Sequence, residues 1–355
     1  MENLVIDLGF WSNKKVLITG HNGFKGVWLT ALLKKLGADV YGVSLEAEDN
    51  SLANDIRIKD YCENYNIDIR DREKTLSAIS NINPQIIFHL AAQSLVFRSY
   101  SDPYLTYSSN IMGLVNILDA ARNSKSCKTL INVTSDKCYK NLESENGYTE
   151  TDILGGHDPY SNSKACSELV TESYRASFFR ESNISCITAR AGNVIGGGDW
   201  AENRLVPDIF RSILSKSIIS IRNPNAIRPW QHVLEPLGGY INLAQLSYSS
   251  NNYSEPWNFG PEKDNLRTVK DVINEISLHF DLEKKIKFEK NTLHETQILK
   301  LDITKSKSRL SWKPQWDFKK TIELTCEWYK EYINNSNIKA ITDDQVKSYL
   351  NNMRE

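Results

Sequence analysis

The sequence predicts an α/β fold: a doubly wound parallel sheet with a smaller, mixed α/β unit in the C-terminal half. Three observations predict it. From Lys15 onward, short apolar runs of strand length alternate with longer stretches of helical periodicity, the pattern of a parallel sheet covered on both faces. The first of those runs opens into a turn of three evenly spaced glycines. The 355 residues are enough for a large core or two domains.

Composition removes several function classes. The net charge is −1, so no global basic field draws nucleic acid. No apolar run approaches the ~20 residues of a membrane span. Residues Met1 to Asp7 lack the basic-then-apolar pattern of a signal peptide. The six cysteines, Cys62, Cys127, Cys138, Cys166, Cys186 and Cys326, are scattered without a Cys-x-x-Cys pair, which argues against a metal site or a disulfide framework. The expectation is a cytoplasmic protein with reduced thiols that binds no metal, membrane or nucleic acid.

Lys15 to Thr19 reads as a buried strand. Gly20-His21-Asn22-Gly23-Phe24-Lys25-Gly26 follows, then a helix from Val27 to Leu36. Such glycines allow a tight turn and close backbone approach, and the helix N-terminus offers N–H groups and a positive dipole to a pyrophosphate. The spacing is Gly-x-x-Gly-x-x-Gly, not the standard Gly-x-Gly-x-x-Gly. Alone it is compatible with a simple turn; between a strand and a helix it favours a dinucleotide cofactor on a Rossmann-type sheet. Ala38 to Val43 is the second strand, with Ser44 where an acid often holds the ribose. No Arg or Lys stands there to meet a 2′-phosphate, which favours NAD over NADP. Asn66 to Asp71 reads as the third strand, with Asp68 and Ile69 toward the adenine. A helix over Glu73 to Ser80 leads to a strand from Gln85 that ends in Leu90-Ala91-Ala92-Gln93, small residues that let a cofactor lie against the backbone. Asp102 to Arg122 reads as one long amphipathic helix, and Thr129 to Thr134 as the next strand.

Ser135-Asp136-Lys137 follows that strand directly, where ligands gather in open parallel sheets. These are also ordinary turn formers. Further on, Pro159-Tyr160-Ser161-Asn162-Ser163-Lys164 opens a helix, and Tyr160 and Lys164 share one face, one turn apart. A free phenol has a pKa of about 10, and an ammonium within ~4–6 Å favours the phenolate. A tyrosine so tuned can take a proton from an alcohol as a hydride leaves the carbon. Taken alone, the pair is an ordinary exposed helix feature, although no other tyrosine in the chain has a lysine four residues on.

Gly20-x-x-Gly23-x-x-Gly26, Leu90-Ala91-Ala92-Gln93, Ser135-Asp136 and Tyr160-x-x-x-Lys164, in that order, resemble the extended branch of the short-chain dehydrogenase/reductases. That branch includes nucleotide-sugar epimerases and 4,6-dehydratases. The resemblance covers residues from about 10 to 330. Longer blocks make it resemble more closely the dehydratases of CDP-glucose: the Gly20–Gly26 loop, Thr134-Ser135-Asp136-Lys137-Cys138-Tyr139, Leu154 to Ser161, and Arg228-Pro229-Trp230-Gln231-His232-Val233. The resemblance implies NAD, a nucleotide-sugar substrate and three steps: oxidation at C4, loss of water across C5–C6, and return of the hydride to C6. It implies Ser135, Tyr160 and Lys164 as the oxidation set and Asp136 as the acid for the C6 hydroxyl. Lys137 stands where many 4,6-dehydratases carry a glutamate base; the CDP-glucose group shares the lysine, which serves as a base where desolvation lowers its pKa. Asn110 matches an asparagine that bends its helix, and is otherwise a polar break.

The second half supplies the substrate side. Residues 1–192 are expected to form the cofactor domain, with 235–250 packing back on it, and 193–355 mainly the substrate domain. Asn193, Arg204, Arg222 and Arg228 are the expected substrate contacts, guanidinium forks being suited to a diphosphate. Trp200 and Trp230 read as core. Glu255 to Gly260 reads as a strand beside the site, Leu237 to Ser247, Thr268 to Phe280, Asp302 to Leu310 and Phe318 to Asn334 as helices, and the tail from Asn335 as at most a capping helix. Family members pair the helices over Asp102–Arg122 and Tyr160–Phe179, so a homodimer, or a tetramer built from it, is implied. Two other readings stand beside dehydration: a 4-epimerase of the same fold, which needs no acid at C6, and an NAD-binding sensor without chemistry, which has no need of an intact Ser135, Tyr160 and Lys164.

Overall fold

In Lys15–Thr19 (β1) every residue after Lys15 is buried, and alternate side chains enter different cores. Val16 and Ile18 face one hydrophobic cluster and Leu17 the other, as the two-residue period of a strand requires. A computed structural model describes residues 6–144, 146–221, 223–282, 286–288 and 298–353. In it β1 lies inside a seven-stranded sheet with Asp39–Ser44 (β2), Glu63–Asn66 (β3), Ile86–His89 (β4), Thr129–Val133 (β5), Ser185–Ala191 (β6) and Pro256–Phe259 (β7). The strand order is β7-β6-β5-β4-β1-β2-β3, and every pairing is parallel. The chain runs outward from β1 to β3, then returns to β4 and runs the other way. The reversal between β1 and β4 opens a crevice at their carboxyl ends.

Helices cover both faces. Phe24–Lys35 (α1) packs on one, with Val27, Trp28, Leu29 and Leu32 fully buried. On the other lie Arg72–Ile82 (α2), the helix over 103–122 (α3) and the helix over 159–179 (α4). Helix α3 is continuous, as the sequence suggests, but Ser108–Gly113 adopts a π-helical turn. Helix α4 ends in a second one, Arg175–Phe179.

The third strand differs from its expected span. It ends at Asn66, and residues 67–71 leave the sheet. The Asn-Ile-Asp-Ile alternation looks like a strand, but the aspartates form turn bonds instead. Arg70 N–H donates to Asp68 Oδ1 (2.9 Å), and Asp71 accepts from Lys74 N–H to cap α2. Such side-chain acceptors compete with the ladder.

Past residue 193 come Leu205–Ser215 (α5), Leu234–Ser247 (α6), Val269–Ser277 (α7), Phe318–Ile333 (α8) and Ile338–Asn352 (α9). Helix α6 packs against β5, β6 and α1. The run Pro256–Phe259, read as a strand beside the site, is the edge strand of the main sheet, parallel to β6. Trp257, Asn258 and Phe259 are buried, so this run has the two-sided burial of a sheet strand. Trp230 is buried, and Trp200 packs partly buried beside Trp328, Tyr329 and Tyr332. Among the described residues, no helix is long and apolar enough to cross a membrane.

The tail is more than a cap. Helix α9 runs 15 residues and packs on α1 and α8. Tyr349 is fully buried, edge-on to Trp316 at 5.1 Å, and stands where Gly238 leaves room; a Cβ on Gly238 would come 2.3 Å from its hydroxyl. The polar composition hid this because the apolar positions that face the core are few: Ile338, Ile341, Val346, Tyr349 and Leu350. Tyr349→Ala is expected to lower folding stability by about 3–5 kcal/mol, read as a fall in the urea midpoint; an unchanged midpoint would show that the helix adds nothing.

Candidate active site

The glycine turn closes β1 at the crevice. Gly20 has φ +74°, and a Cβ there would lie 2.7 Å from the Ala91 nitrogen. On Gly26 a Cβ would fall 2.1 Å from Gly20 O. Both positions are closed to other side chains. Gly23 differs: a Cβ would meet only Gly20 O, at 3.3 Å, and its bare backbone faces the cavity. Helix α1 starts at Phe24 with no side-chain cap, so its first N–H groups keep their capacity to bind an anion. Thr19 Oγ1 bonds His89 Nδ1 (2.7 Å) and accepts from Ala91 N–H (3.3 Å), which joins the ends of β1 and β4 beneath the turn.

A cavity of about 790 Å³ occupies the crevice. Of the expected cofactor contacts, Gly20, Gly23, Phe24, Lys25, Gly26, Asp68, Ile69, Leu90, Ala91, Ala92 and Gln93 line it. Asn22 does not; its Nδ2 donates to the backbone carbonyl of Leu45, a residue that does, at 2.8 Å. Asp68 is engaged by the Arg70 guanidinium, which holds its carboxyl below the usual range. Gln93 acts on the protein itself, its backbone N–H and C=O bonded to Asn110 and its side chain to Leu95 and Thr106. Asn110 also donates to Ser163 Oγ (2.8 Å). The π turn of α3 therefore fastens the end of β4 to α4.

Ser135, Asp136, Lys137, Tyr160 and Lys164 line the same cavity. Ser135 caps a short 3₁₀ turn over Asp136–Cys138 and donates to Asp136 Oδ1 at 3.0 Å. Asp136 is 3 % exposed, and its Oδ2 has no partner. Burial pushes its carboxyl up, against the opposing charges of Lys137, Arg228 and Lys25. Tyr160 sits in the first turn of α4, which Asp158 caps and Pro159 opens. Lys164 Nζ donates to Val133 O at 3.2 Å. Burial brings Lys164 and Lys25 each down to about 8.

One electrostatic expectation is corrected. The sequence suggests that Lys164 lowers the Tyr160 pKa. In the structure burial pushes the phenol up to about 12, and the groups that draw it back are Ser135, by a hydrogen bond, and the Arg204 charge. The Lys164 ammonium is engaged with the Val133 carbonyl, and desolvation outweighs the remaining attractions.

Asn193, Arg204 and Arg228 line the same cavity. Arg204 donates to Asp199 Oδ2 (3.1 Å) and Ser94 Oγ (3.2 Å). Arg228 Nη1 donates to Ile227 O (2.9 Å). Arg222 lies outside the described residues. The sequence reading missed Asp199, the carboxylate that orients Arg204. It also missed Glu168, although Tyr160, Lys164 and Glu168 recur at intervals of four, a spacing that marks one helix face. Among the described residues, no group of three or more His, Cys, Asp and Glu side chains is placed to hold a metal.

A glycine turn at the switch point of a parallel sheet, facing a Tyr-x-x-x-Lys pair and a serine at the next strand end, defines the extended short-chain dehydrogenase/reductases. Within that class the chain belongs to the GDP-mannose 4,6 dehydratase family, whose profile matches residues 17–325. It is 43 % identical over 354 residues to the CDP-glucose 4,6-dehydratase of Salmonella typhimurium strain LT2, covering 98 % of this chain and 99 % of that one. Among solved structures it resembles a UDP-glucose 4-epimerase of Thermotoga maritima with UDP-glucose (TM-score 0.78, 22 % identity, 90 % of this chain and 99 % of that chain). It also resembles a dTDP-glucose 4,6-dehydratase of Bacillus anthracis in complex with NAD (TM-score 0.76, 21 % identity, 90 % and 98 %). At these identities the structural likeness speaks for the fold.

The buried lysines set a pH dependence. Lys164 falls from 10.5 to about 8 on folding, so between those values the unfolded chain binds more protons and stability rises with pH. Below about 8 the full penalty stands. Lys164→Met is therefore expected to stabilise the protein by about 1–3 kcal/mol at pH 7, with a gain that shrinks toward pH 10. Thermal unfolding without added nucleotide, at both pH values, checks this; a destabilised variant at pH 7 would show that the Val133 bond outweighs the burial.

Proposed function

We propose that this protein is an NAD-dependent hydro-lyase that converts CDP-glucose to CDP-4-dehydro-6-deoxyglucose. The observation that carries the reading is that Asp136 and Lys137 line one cavity with Tyr160 and Lys164. An acid and a base for elimination thus stand beside a pair suited to alcohol oxidation. A 4-epimerase needs only the second pair. Identity to the Salmonella CDP-glucose enzyme over nearly the whole chain supports the substrate.

The residues fit a dinucleotide. Gly23 leaves bare backbone on the cavity, and α1 begins there without a side-chain cap; both suit a pyrophosphate. Ile69, Leu90, Ala91 and Ala92 line the rest of that arm. Held along this glycine turn, NAD⁺ would supply a reversible hydride acceptor for C4 and C6.

The protein's own groups move the protons. Tyr160 Oη takes the C4 hydroxyl proton as the phenolate, the form that Ser135 and the Arg204 charge favour. Lys164, at about 8, keeps its proton at neutral pH. The C4 ketone acidifies C5–H, and Lys137, acting as the free amine, takes that proton. Asp136, whose carboxyl burial pushes up, gives its proton to the departing C6 hydroxyl, which leaves as water. Lys137 returns its proton to C5, and the proton left on Tyr160 makes good the one Asp136 gave, so the cycle closes with one water lost. Arg204, Arg228 and Asn193 hold the diphosphate, guanidinium forks matching its oxygens; Arg222 belongs with them by its place in the sequence.

The assembly is read as a homodimer formed through α3 and α4. Tyr104 (80 % exposed), Met112 (55 %) and Leu169 (54 %) stand out from these two helices, more apolar surface than a solvated face carries. Six free cysteines, five of them buried, suit the reducing cytoplasm, and a 6-deoxy-sugar nucleotide suits a supply route to cell-surface polysaccharide.

With NAD⁺ present, CDP-glucose is expected to lose one water by mass spectrometry, and dTDP-glucose and GDP-mannose to stay intact. Loss from a different nucleotide sugar would keep the chemistry and reject cytidine. Tyr160→Phe is expected to cut kcat by about 10²–10⁴-fold; wild-type turnover would remove Tyr160 as the base. Light scattering at micromolar concentration is expected to give a dimer mass or a multiple of it, and a monomer would reject the interface.

A further inference from the structure

Beneath the reacting groups lies an ion pair that no step of the reaction uses. Glu168, on α4 one turn past Lys164, is 4 % exposed, and Arg190, on β6, is 2 % exposed. Each carboxylate oxygen receives two donors. Oε1 takes Thr134 Oγ1 and Arg190 Nε (2.9 Å); Oε2 takes Thr188 Oγ1 (2.6 Å) and Arg190 Nη2 (2.8 Å). The remaining guanidinium nitrogen, Nη1, donates to Tyr139 Oη (2.7 Å) and Glu150 O (3.2 Å). Tyr139 in turn donates to Asn258 Oδ1 at 2.7 Å, and its ring lies 4.8 Å from the Arg190 guanidinium.

The placement along the chain is what matters. Thr134 immediately precedes Ser135, and Tyr139 follows Lys137 by two residues. The turn bearing Asp136 and Lys137 is thus gripped at both flanks by one pair. The helix bearing Tyr160 and Lys164 is gripped by the same carboxylate. We propose that Glu168 and Arg190, through Thr134 and Tyr139, are positioning residues that hold Asp136 and Lys137 in register with Tyr160, so that C5–C6 elimination follows C4 oxidation on one sugar ring. This rests on the dehydratase reading. The requirement is geometric: a displacement of about 1 Å at a reacting group costs up to ~10²-fold in rate. Oxidation uses the helix and Ser135 at the start of the turn, whereas elimination also needs Asp136 and Lys137 inside it. Loosening the turn therefore penalises the second step.

The test uses Tyr139→Phe and Thr134→Val, each of which releases one flank while leaving both charges paired. Each folded variant is expected to lose about 10–100-fold in kcat with KM within about threefold. Rapid quench and mass spectrometry are expected to show a species two mass units lighter than CDP-glucose, oxidised at C4 but not dehydrated. Thr134→Ser, which keeps the hydroxyl, is expected to turn over within about twofold of wild type. Wild-type turnover in both folded variants overturns the proposal. So does a loss of activity without the lighter species, which marks a merely structural pair, and so does a failed rescue by serine. Wild-type protein that removes no water from CDP-glucose sinks the dehydratase reading itself, a result visible before any variant is made.

Discussion

The interaction on which the rest of the site depends is the pair between Glu168 and Arg190, out of water at the junction of α4, β5 and β6. Burying two charges is costly, and their attraction offsets that cost only when the remaining donors and acceptors are also satisfied. Here they are satisfied, by Thr134, Thr188, Tyr139 and Glu150. Removing one partner would leave an uncompensated charge, an effect on the order of 3–5 kcal/mol. The pair therefore constrains every element that touches it, and these are the elements that bear the reacting side chains.

Around that anchor the cavity is built with the wrong solvation for its charges. Lys25 and Lys164 are held near 8, Asp136 is pushed up and Tyr160 is pushed to about 12, in each case chiefly by burial. Each shift favours the neutral form, so the site stores unfavourable desolvation that a polyanionic ligand relieves. This is the usual exchange of stability for function at a reacting centre. The carboxyl that gives a proton and the phenolic oxygen that takes one sit in the same burial, and their partners differ. Ser135 donates to the carboxyl and, with the Arg204 charge, draws the phenol down, while Lys25, Lys137 and Arg228 act on the acid.

The frame beneath is ordinary parallel-sheet physics. The switch between β1 and β4 opens the crevice, and the Thr19–His89 bond and the Gln93–Asn110 bonds hold its rim. The bulk of the core, from Trp28 to Tyr349, is densely packed aliphatic and aromatic side chains. A rigid frame lets a turn of four residues carry the chemistry.

Much of this was legible in the sequence. The alternation of strands and helices, the glycine turn and the Tyr160–Lys164 pair are local patterns, set by period, by φ and by one turn of helix, and local patterns are written in neighbouring residues. Asp68–Asp71 misled because an alternating pattern and a side-chain turn look alike until the acceptors find their donors. The place of Pro256–Phe259 in the main sheet, the burial of α9 and the bond from Asn22 to Leu45 depend on partners distant in the chain. The same holds for the sign of the Tyr160 shift. Four-residue spacing brings a lysine near a phenol, but whether the charge or the burial prevails is decided by what the rest of the fold packs around both. The sequence by itself determined the class of fold and the kinds of group available for reaction; the tertiary structure decided which of them share a cavity, because desolvation and long-range pairing exist only once the chain has closed on itself.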